Sequence, residues 1–317
     1  MRIVIVTPAQ RGSHKGNRVT AVRWAGHMRA LGHRVVLARS WSGQPCDVLV
    51  ALHATKSHAS VEAYRASRPD APLVVGLAGT DLYQDLPSSA EARRSLDLAT
   101  RVTVLQPAAI EAVPGTVRHK VHPIIQSARP AVPAAPVNGA FEVCMLAHLR
   151  EVKDPRLAPE AVRRLPAGSR LRIVHLGAAL DPGSGERARR DGVGNPRYQW
   201  LGERPHAEAL RRLAGSRALL VTSRFEGGAN AVSEAVASGV PVLSTRIAGT
   251  IGLLGADYPG YFPVGDAAAL AGLLARVEQD PTFLATLKAA VDRVRPLIDP
   301  RRERESWRAL LAEIVPS

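Results

Sequence analysis

Two glutamates flank the start of a predicted helix in the segment TSRFEGGANAVSEAVASGVPVLSTRIAGT, residues 222–250. Glu226 stands in a glycine-containing turn after a predicted strand, and Glu234 lies on the second turn of a helix predicted over 230–238. Glycine lets a backbone approach a ligand closely, and the first amides of a helix attract an anion such as a phosphate. This arrangement predicts a site for an extended ligand that carries a phosphate and hydroxyls at its two ends. The alternative is that both glutamates are solvent-exposed charges.

A second candidate site follows the first predicted strand, Arg2–Val6. The loop after this strand carries glycine and several cations, and it opens a helix predicted over Asn17–Leu31. The loop does not match G-x-G-x-x-G, the pattern of dinucleotide sites, so the cations and the helix start favour an anion cradle. A basic surface loop is the alternative. The residues predicted to bind this anion are Arg11, His14, Lys15, Gly16, Asn17, Arg18 and Thr20.

Polar residues also follow two predicted strands of the same half of the chain. His53 comes directly after a strand ending at Leu52, and Thr80 and Asp81 follow a strand ending at Leu77. Side chains at the carboxyl ends of parallel strands are candidates for acid–base or orienting roles. We therefore predict His53 as a catalytic group and Thr80 and Asp81 as binding groups for the same anion, with helix capping as the alternative for the last two.

Short aliphatic runs alternate with helical patterns along most of the chain, as in a parallel sheet covered by helices. Three prolines in residues 127–139, SARPAVPAAPVNG, interrupt the pattern and predict a linker. We expect an α/β protein of two doubly wound Rossmann-like domains facing a central cleft, where open α/β sheets bind ligands. The predicted domain limits are 1–135 and 136–298, followed by an amphipathic helix in 299–317. A charged, glycine-containing stretch, 178–195, is predicted to be a loop.

Composition excludes several classes of protein. With 46% hydrophobic and 22% charged residues, the 317-residue chain is globular rather than disordered. Its two cysteines, Cys46 and Cys144, are too far apart for a metal clip or a disulfide framework, which favours a reducing, cytoplasmic compartment. No apolar run approaches the ~18 residues of a membrane helix, so no stable membrane insertion is predicted, and the amino terminus predicts a strand rather than a signal peptide.

The formal net charge of +14 raises the possibility of a nucleic-acid partner. The cations are mostly arginines, however, and they are scattered rather than gathered in a tract. We therefore predict no nucleic-acid partner, and we favour a protein that handles phosphorylated small molecules.

The segment 222–250 resembles the signature of retaining glycosyltransferases of the GT-B fold: Ser, Glu-Gly, a small residue, Asn, Glu-Ala and Gly-x-Pro-Val. The resemblance covers the whole second domain and implies that the final helix crosses back to the first. It also implies that Glu234 holds the nucleotide ribose and Glu226 the donor sugar, while the amides of 227–230 face the diphosphate. The donor-binding residues that it implies are His148, Gly227, Gly228, Ala229, Asn230 and Glu234.

The same resemblance places a basic pair of the family among His148, Arg150 and Lys153. Breaking a sugar–phosphate bond leaves a nucleoside diphosphate with growing negative charge, which cations and a helix start stabilise without a metal. The sequence contains no Asp-x-Asp motif, and we expect no metal and no other cofactor. The catalytic residues are predicted to be Lys153, Arg150 and Glu226, together with His53.

Four segments together are similar to the selenosugar synthases of selenoneine biosynthesis over nearly the full length: IVTPA…GNRVTAVRWA, ALHATKS, LAGTDLY and HLREVKDP. This resemblance implies selenophosphate as the acceptor and a UDP-sugar, UDP-N-acetylglucosamine or UDP-glucose, as the donor. It also implies a functional link to an enzyme that produces selenophosphate. A small trianionic acceptor suits the basic loop better than a neutral sugar would.

Three other functions remain open from the sequence. One is an ordinary GT-B glycosyltransferase with a lipid, polysaccharide or small-metabolite acceptor, in which the positive charge would help docking to an anionic membrane surface. Another is a nucleotide-sugar epimerase of similar fold. The last is a non-catalytic nucleic-acid binder, which would bind with a steep dependence on salt.

Overall fold

A computed structural model of the chain describes residues 1–10, 12, 16–135 and 139–315. The chain divides into two compact units. The first unit comprises Met1–Ser127, Glu226–Gly228 and Pro300–Ser317, and the second comprises Ala128–Phe225 and Ala229–Asp299. The first division falls in the proline-containing stretch, a few residues before the limit of 135 that the sequence predicts.

The regular elements alternate between strand and helix. The strands are β1 Arg2–Val6, β2 Arg34–Ala38, β3 Val48–Leu52, β4 Leu73–Gly76, β5 Arg101–Val104, β6 Val121–Pro123, β7 Phe141–Leu146, β8 Leu171–Leu176, β9 Tyr198–Trp200, β10 Ala218–Val221, β11 Val242–Thr245 and β12 Tyr261–Phe262. The α-helices are α1 Gly16–Ala30, α2 His58–Ser67, α3 Ala90–Leu98, α4 Leu157–Arg163, α5 Ser184–Gly192, α6 His206–Gly215, α7 Asn230–Ala237, α8 Ala248–Leu254, α9 Ala267–Gln279, α10 Pro281–Val294 and α11 Pro300–Ile314.

The first unit is built on a six-stranded parallel sheet in the order β2-β1-β3-β4-β5-β6. Aliphatic side chains of one strand alternate between two buried clusters, with Val4 and Val6 in one cluster and Ile3 and Ile5 in the other. Helices α2 and α3 contribute to the first cluster, and helices α1 and α11 contribute to the second. Because both faces are covered, the strands are continuous aliphatic runs rather than alternating ones.

The last helix, α11, packs within the first unit, and its apolar stripe is buried as the spacing predicts. Trp307 meets Trp24 of α1 edge to face, with ring centroids 4.9 Å apart. Beside this contact the buried carboxylate of Glu303 lies 3.2 Å from both Arg23 Nε and His27 Nε2, and it accepts the Ser127 amide at 2.7 Å. The predicted core positions of this helix are Trp307, Leu310, Leu311 and Ile314, and all are buried.

The second unit repeats the architecture with a parallel sheet in the order β12-β11-β10-β7-β8-β9. Helices α4, α5 and α9 pack against strands β8 and β9, while α6 and α7 pack against β7, β10 and β11. The two parallel sheets with their helices confirm the predicted α/β class. Among the described residues, no helix is both long enough and apolar enough to cross a membrane.

The stretch 178–195 is not wholly the loop that the sequence predicts, because it contains helix α5. Only Ser184 and Ala188 of that helix are buried, so no apolar period marks it in the sequence. The sequence also gives no prediction for strands β6 and β12 and helix α8. They are two to seven residues long, which is too short for a periodic pattern to stand out.

Replacing Glu303 with glutamine is expected to reduce the unfolding free energy of the protein by about 3 kcal/mol at pH 7, because a buried cluster of donors loses its charged acceptor. Burial alone would raise the pKa of Glu303, but hydrogen bonding to His27, the charge of Arg23 and the Ser127 hydroxyl hold this pKa below its usual value. When folding lowers the pKa of a carboxyl group, the ionised group stabilises the protein fully at pH values above its unfolded-state pKa. This stabilisation is lost as the pH falls through the folded-state pKa. Urea denaturation at several pH values measures the difference.

The matched control is Glu305→Gln on the same helix, where the side chain is exposed and pairs with Arg308. Such a pair contributes about 0–1 kcal/mol. Equal losses for the two variants, or a loss for Glu303→Gln that does not shrink at low pH, would contradict the assignment of Glu303 as a buried anchor.

Candidate functional site

In the second unit, a buried histidine fixes the loop that follows β7. Nε2 of His175 lies 2.8 Å from the carbonyl oxygen of Ala147, and Nδ1 lies 2.9 Å from the Tyr198 hydroxyl. A carbonyl can only accept, so Nε2 carries the proton and Nδ1 accepts from Tyr198. Burial lowers the pKa of His175 to about 4, so the ring is neutral at pH 7. The loop of predicted phosphate-binding residues therefore starts from a fixed carbonyl.

Close backbone packing continues along this loop. A Cβ atom on Gly177 would lie 1.9 Å from the Ala147 oxygen, so only glycine fits beside the loop. The Ala178 amide donates to Nδ1 of His148 at 3.0 Å, and the Leu149 amide donates to the Ala178 carbonyl at 2.8 Å. Nδ1 of His148 is thus taken by the main chain and is not available to a phosphate.

Lys153 ends a turn that is joined to strand β10. The Thr222 hydroxyl donates to the Lys153 carbonyl at 2.6 Å, and the Arg224 amide donates to the Val152 carbonyl at 2.9 Å. Strand β10 leads directly to Glu226. The structure therefore brings the main chain of Lys153 to the end of β10, where the segment 222–250 with both glutamates begins.

Arg150 faces a cavity of about 400 Å³ in the second unit. Its lining combines cations and acids, namely Arg150, Arg156, Arg187, Arg224, Glu151, Asp154, Asp181 and Asp191, with several smaller side chains. Lys153 is not among the described residues that line it. The structure thus does not group Arg150 with Lys153 in this space.

Helix α7 presents its first turn without a capping side chain, because its N-cap residue is Ala229. The first amides of a helix have no partner within the helix, so this end suits an anion. On the second turn, Oε1 of Glu234 lies 2.9 Å from Nε2 of His206, the first residue of α6. The hydrogen bond to Glu234 raises the pKa of His206. The sequence gives no indication of a role for His206, which lies outside every motif and is placed here by the packing of α6 against α7.

Residues 226–228 belong to the first unit, where Gly227 packs against backbone and Gly228 against a side chain. A Cβ on Gly227 would lie 1.3 Å from the Ala78 carbonyl oxygen, and one on Gly228 would lie 2.7 Å from the Leu105 Cβ. Both glycines are therefore required by packing. Glu226, beside them, is half-buried.

The first unit brings His53, Thr80 and Asp81 together because β3 and β4 are neighbours in its parallel sheet. Nε2 of His53 lies 3.1 Å from the Thr80 hydroxyl, and Nδ1 lies 3.9 Å from Oδ2 of Asp81. Asp81 is fully buried, with Oδ1 accepting the Ala78 amide at 2.9 Å and Oδ2 accepting the Ala54 amide at 3.1 Å. The sequence predicts Asp81 among the anion-binding residues. In the structure its carboxyl group accepts one amide beyond the end of β3 and one beyond the end of β4, and so holds these two segments together.

His53 is buried and has a positive φ of 80°, a strained conformation for a residue other than glycine. The Lys56 amide donates to Nδ1 of His53 at 3.4 Å, so Nε2 carries the proton and donates to Thr80. Burial lowers the pKa of His53 despite the nearby Asp81 carboxyl, whose own pKa burial raises. His53 is therefore a neutral, oriented donor rather than an imidazolium.

Three of the predicted anion-binding residues, Arg11, His14 and Lys15, lie outside the described residues. The other four residues predicted for this loop and helix start lie on α1, where Gly16 is exposed, Asn17 and Arg18 are half-buried, and Thr20 is buried. Thr20 accepts a hydrogen bond from Gln126 Nε2 at 2.8 Å. The Thr20 hydroxyl thus takes part in a buried hydrogen bond within the first unit.

Within the part of the chain that the structure describes, no group of three or more His, Cys, Asp or Glu side chains could hold a metal ion. Whether the protein needs a cofactor stays a prediction from the sequence.

A family model described as glycosyl transferases group 1 matches residues 133–293, slightly more than half of the chain. The match includes the β7 loop, helix α7 and Glu234. No curated protein sequence is similar enough to the chain to count as a relative.

Solved structures of similar fold cover almost the entire chain. Anabaena HepE in complex with UDP and glucose has a TM-score of 0.79 at 16% identity, covering 99% of this chain and 100% of that one. Sucrose-phosphate synthase from Thermosynechococcus elongatus has a TM-score of 0.79 at 15% identity, with 99% and 98% covered. An E. coli structure described as trehalose-6-phosphate bound with UDP-2-fluoro glucose has a TM-score of 0.76 at 12% identity, with both chains fully covered. At these identities the likeness shows the fold.

Gly227→Ala is expected to lower the unfolding free energy by about 1–3 kcal/mol, the usual cost of overpacking. The atom that its Cβ would strike is a main-chain oxygen, which cannot swing aside as a side chain can. The control is Gly26→Ala on α1, where the added Cβ meets no heavy atom within 4 Å apart from its chain neighbours and its own helix backbone, and alanine is expected to stabilise the helix by about 0.5–1 kcal/mol. Thermal unfolding of both variants decides the point, and an unchanged melting temperature for Gly227→Ala would contradict the packing of 226–228 against Ala78.

Proposed function

The chain belongs to the family of group 1 glycosyl transferases, and we propose that it transfers a sugar from a UDP-sugar to selenophosphate. The observation that carries the donor half of this proposal is the arrangement of the second unit around α7. There, a helix start without a capping side chain, an acid on its second turn and a lysine turn tied to the preceding strand lie on neighbouring elements. The donor is UDP-N-acetylglucosamine or UDP-glucose.

The choice of a UDP-sugar is supported by the ligands of proteins with the same fold. HepE has been solved with UDP, with UDP-glucose and with UDP and glucose, and the E. coli structure holds UDP-2-fluoro glucose. In the proposal, Glu234 accepts hydrogen bonds from the ribose hydroxyls and Glu226 contacts the donor sugar. The amides of 227–230 face the diphosphate.

The proposed chemistry of departure depends on cations. As the bond between the anomeric carbon and the diphosphate oxygen breaks, its electron pair leaves with UDP, and negative charge grows on the diphosphate. Lys153, with His148 and Arg150 on the same loop, would stabilise this charge, together with the start of α7. No metal and no other cofactor takes part in the proposal.

The acceptor half assigns selenophosphate to the loop and helix start at residues 11–20. Selenium attacks the anomeric carbon as UDP departs, and water then cleaves the phosphorus–selenium bond, so that the products are a 1-selenosugar, UDP and inorganic phosphate. An anionic selenium nucleophile needs no proton removed. Both ring nitrogens of His53 are engaged, Nε2 with Thr80 and Nδ1 with the Lys56 amide, and its lowered pKa makes it a weak base, which suits a reaction that needs no proton removed. An enzyme that produces selenophosphate would have to supply the acceptor.

Purified protein supplied with UDP-N-acetylglucosamine or UDP-glucose is expected to release UDP only when selenophosphate is present. Coupled detection of UDP measures the rate, and mass spectrometry with the selenium isotope pattern identifies the selenosugar. Inorganic phosphate in place of selenophosphate is the matched control. Release of UDP without a selenium-bearing sugar would overturn the acceptor assignment and favour another acceptor.

The same assay without an acceptor, and a separate liposome experiment, distinguish two of the other functions that the sequence leaves open. Conversion of one UDP-sugar into another without any acceptor would indicate an epimerase. Co-sedimentation with anionic liposomes would favour a lipid acceptor, whereas an enzyme with a soluble acceptor stays in the supernatant.

Lys153→Ala is expected to lower turnover about 10²-fold, the scale seen when one charge-stabilising group is lost, whereas Glu234→Ala should chiefly raise the KM of the donor. Steady-state rates at varied donor concentration separate the two effects. The control is Lys288→Ala on α10, a cation that is exposed and lies outside the proposed site. Wild-type kinetics for both Lys153→Ala and Glu234→Ala would remove these residues from the site.

A further inference from the structure

The side chain that contacts the proposed ribose-binding acid is a histidine that no motif contains. Nε2 of His206, at the start of α6, lies 2.9 Å from Oε1 of Glu234 on α7. Glu234 is largely enclosed, with 14% of its side chain exposed, whereas 58% of the His206 side chain is exposed. Glu234 is therefore mostly enclosed by protein, and His206 contacts it from the side that faces solvent.

One hydrogen bond of this kind orients a carboxylate and still leaves it able to accept others. A carboxylate offers about four lone-pair positions on two oxygens, and the imidazole takes one position on Oε1. Among the residues that the structure describes, no other side chain donates to the Glu234 carboxylate. The remaining positions are those with which the carboxylate can accept ligand hydroxyls.

The two helices give this contact its rigidity. Pro205 immediately precedes α6, and its ring restricts the backbone that leads into His206. Helix α6 packs against α7, so neither partner is carried by a free loop. A glutamate side chain has three rotatable bonds, and holding it in one rotamer before the ligand arrives reduces the entropy lost on binding.

We infer that His206 is a positioning residue for the donor nucleotide, which holds the Glu234 carboxylate in the orientation that accepts the ribose hydroxyls. This inference rests on the proposed function, because it takes Glu234 as the ribose-binding acid. The opposite role is a blocking one, in which the imidazole occupies the carboxylate and must leave before the nucleotide binds. The two roles predict opposite signs for the effect of removing the imidazole.

The test measures the binding of UDP and of 2′,3′-dideoxy-UDP to the full-length protein by calorimetry. His206→Ala should weaken UDP binding about tenfold, the scale of one lost hydrogen bond to a charged group. It should weaken binding of the dideoxy nucleotide less than about twofold, because that nucleotide has no ribose hydroxyls for Glu234 to accept. His206→Gln keeps an N–H donor and should restore most of the UDP affinity.

Two further variants isolate the pathway of the effect. In Glu234→Gln the acceptor is weakened first, so adding His206→Ala should cost little more, and the two changes should be far from additive. Glu208→Ala, on the first turn of the same helix and exposed, is the matched control and should bind both nucleotides as the wild type does. In turnover, His206→Ala should raise the KM of the donor and leave kcat within about twofold of its original value.

Several results would overturn the inference. Tighter UDP binding by His206→Ala would establish the blocking role instead. Equal weakening of UDP and the dideoxy nucleotide, or no change with either, would show that His206 does not act through the ribose site. If the wild-type protein bound no UDP at all, the proposed function itself would fail, whereas wild-type binding with unaffected His206 variants would overturn only this inference.

Discussion

The loop after β7, which carries His148, Arg150 and Lys153, is held by one hydrogen bond from the buried imidazole of His175 to the Ala147 carbonyl. That carbonyl lies at the point where β7 ends, and it leaves no room for a side chain on Gly177. With this point fixed, the Ala178 amide holds His148 and the next turn reaches Lys153. A buried imidazole can serve in this way because burial keeps it neutral, so its single ring proton is available for donation.

The sequence predicts those strands that consist of continuous buried aliphatic residues. Strands such as β3 are buried at every position, so they appear as unbroken apolar segments, and the meeting of His53 with Thr80 follows from the parallel order of their strands. Helix α5 and the partner of Glu234 were not predictable. The first buries too little apolar surface to leave a period, and the contact of His206 depends on how two separate helices pack.

Burial and partner type separate acids that look alike in the sequence. Glu234 and Glu303 both lie within helices, and Glu226 and Asp81 both lie near turns. Asp81 and Glu303 are buried and accept main-chain amides, so both carboxyl groups stabilise the fold of the first unit. Glu234 faces a solvent-exposed histidine instead. A carboxylate with an exposed partner can exchange or share its hydrogen bonds with ligand hydroxyls, whereas one enclosed by amides cannot do so without opening the unit.

Structural hydrogen bonds also account for many of the arginines that give the chain its formal net charge of +14. Many arginines donate to main-chain carbonyls: Arg65 to Leu98 and Ala71, Arg118 to Glu111 and Val113, and Arg197 to Pro166 and Ala167. A guanidinium has five donors in a fixed fork and satisfies several carbonyls at once. These guanidinium groups stabilise the loops and helix ends that they contact. The charge that bears on the proposed reaction is therefore local, on the loop of Lys153 and near the start of α1. In the proposed reaction, the first of these places binds the diphosphate of the donor and the second binds selenophosphate.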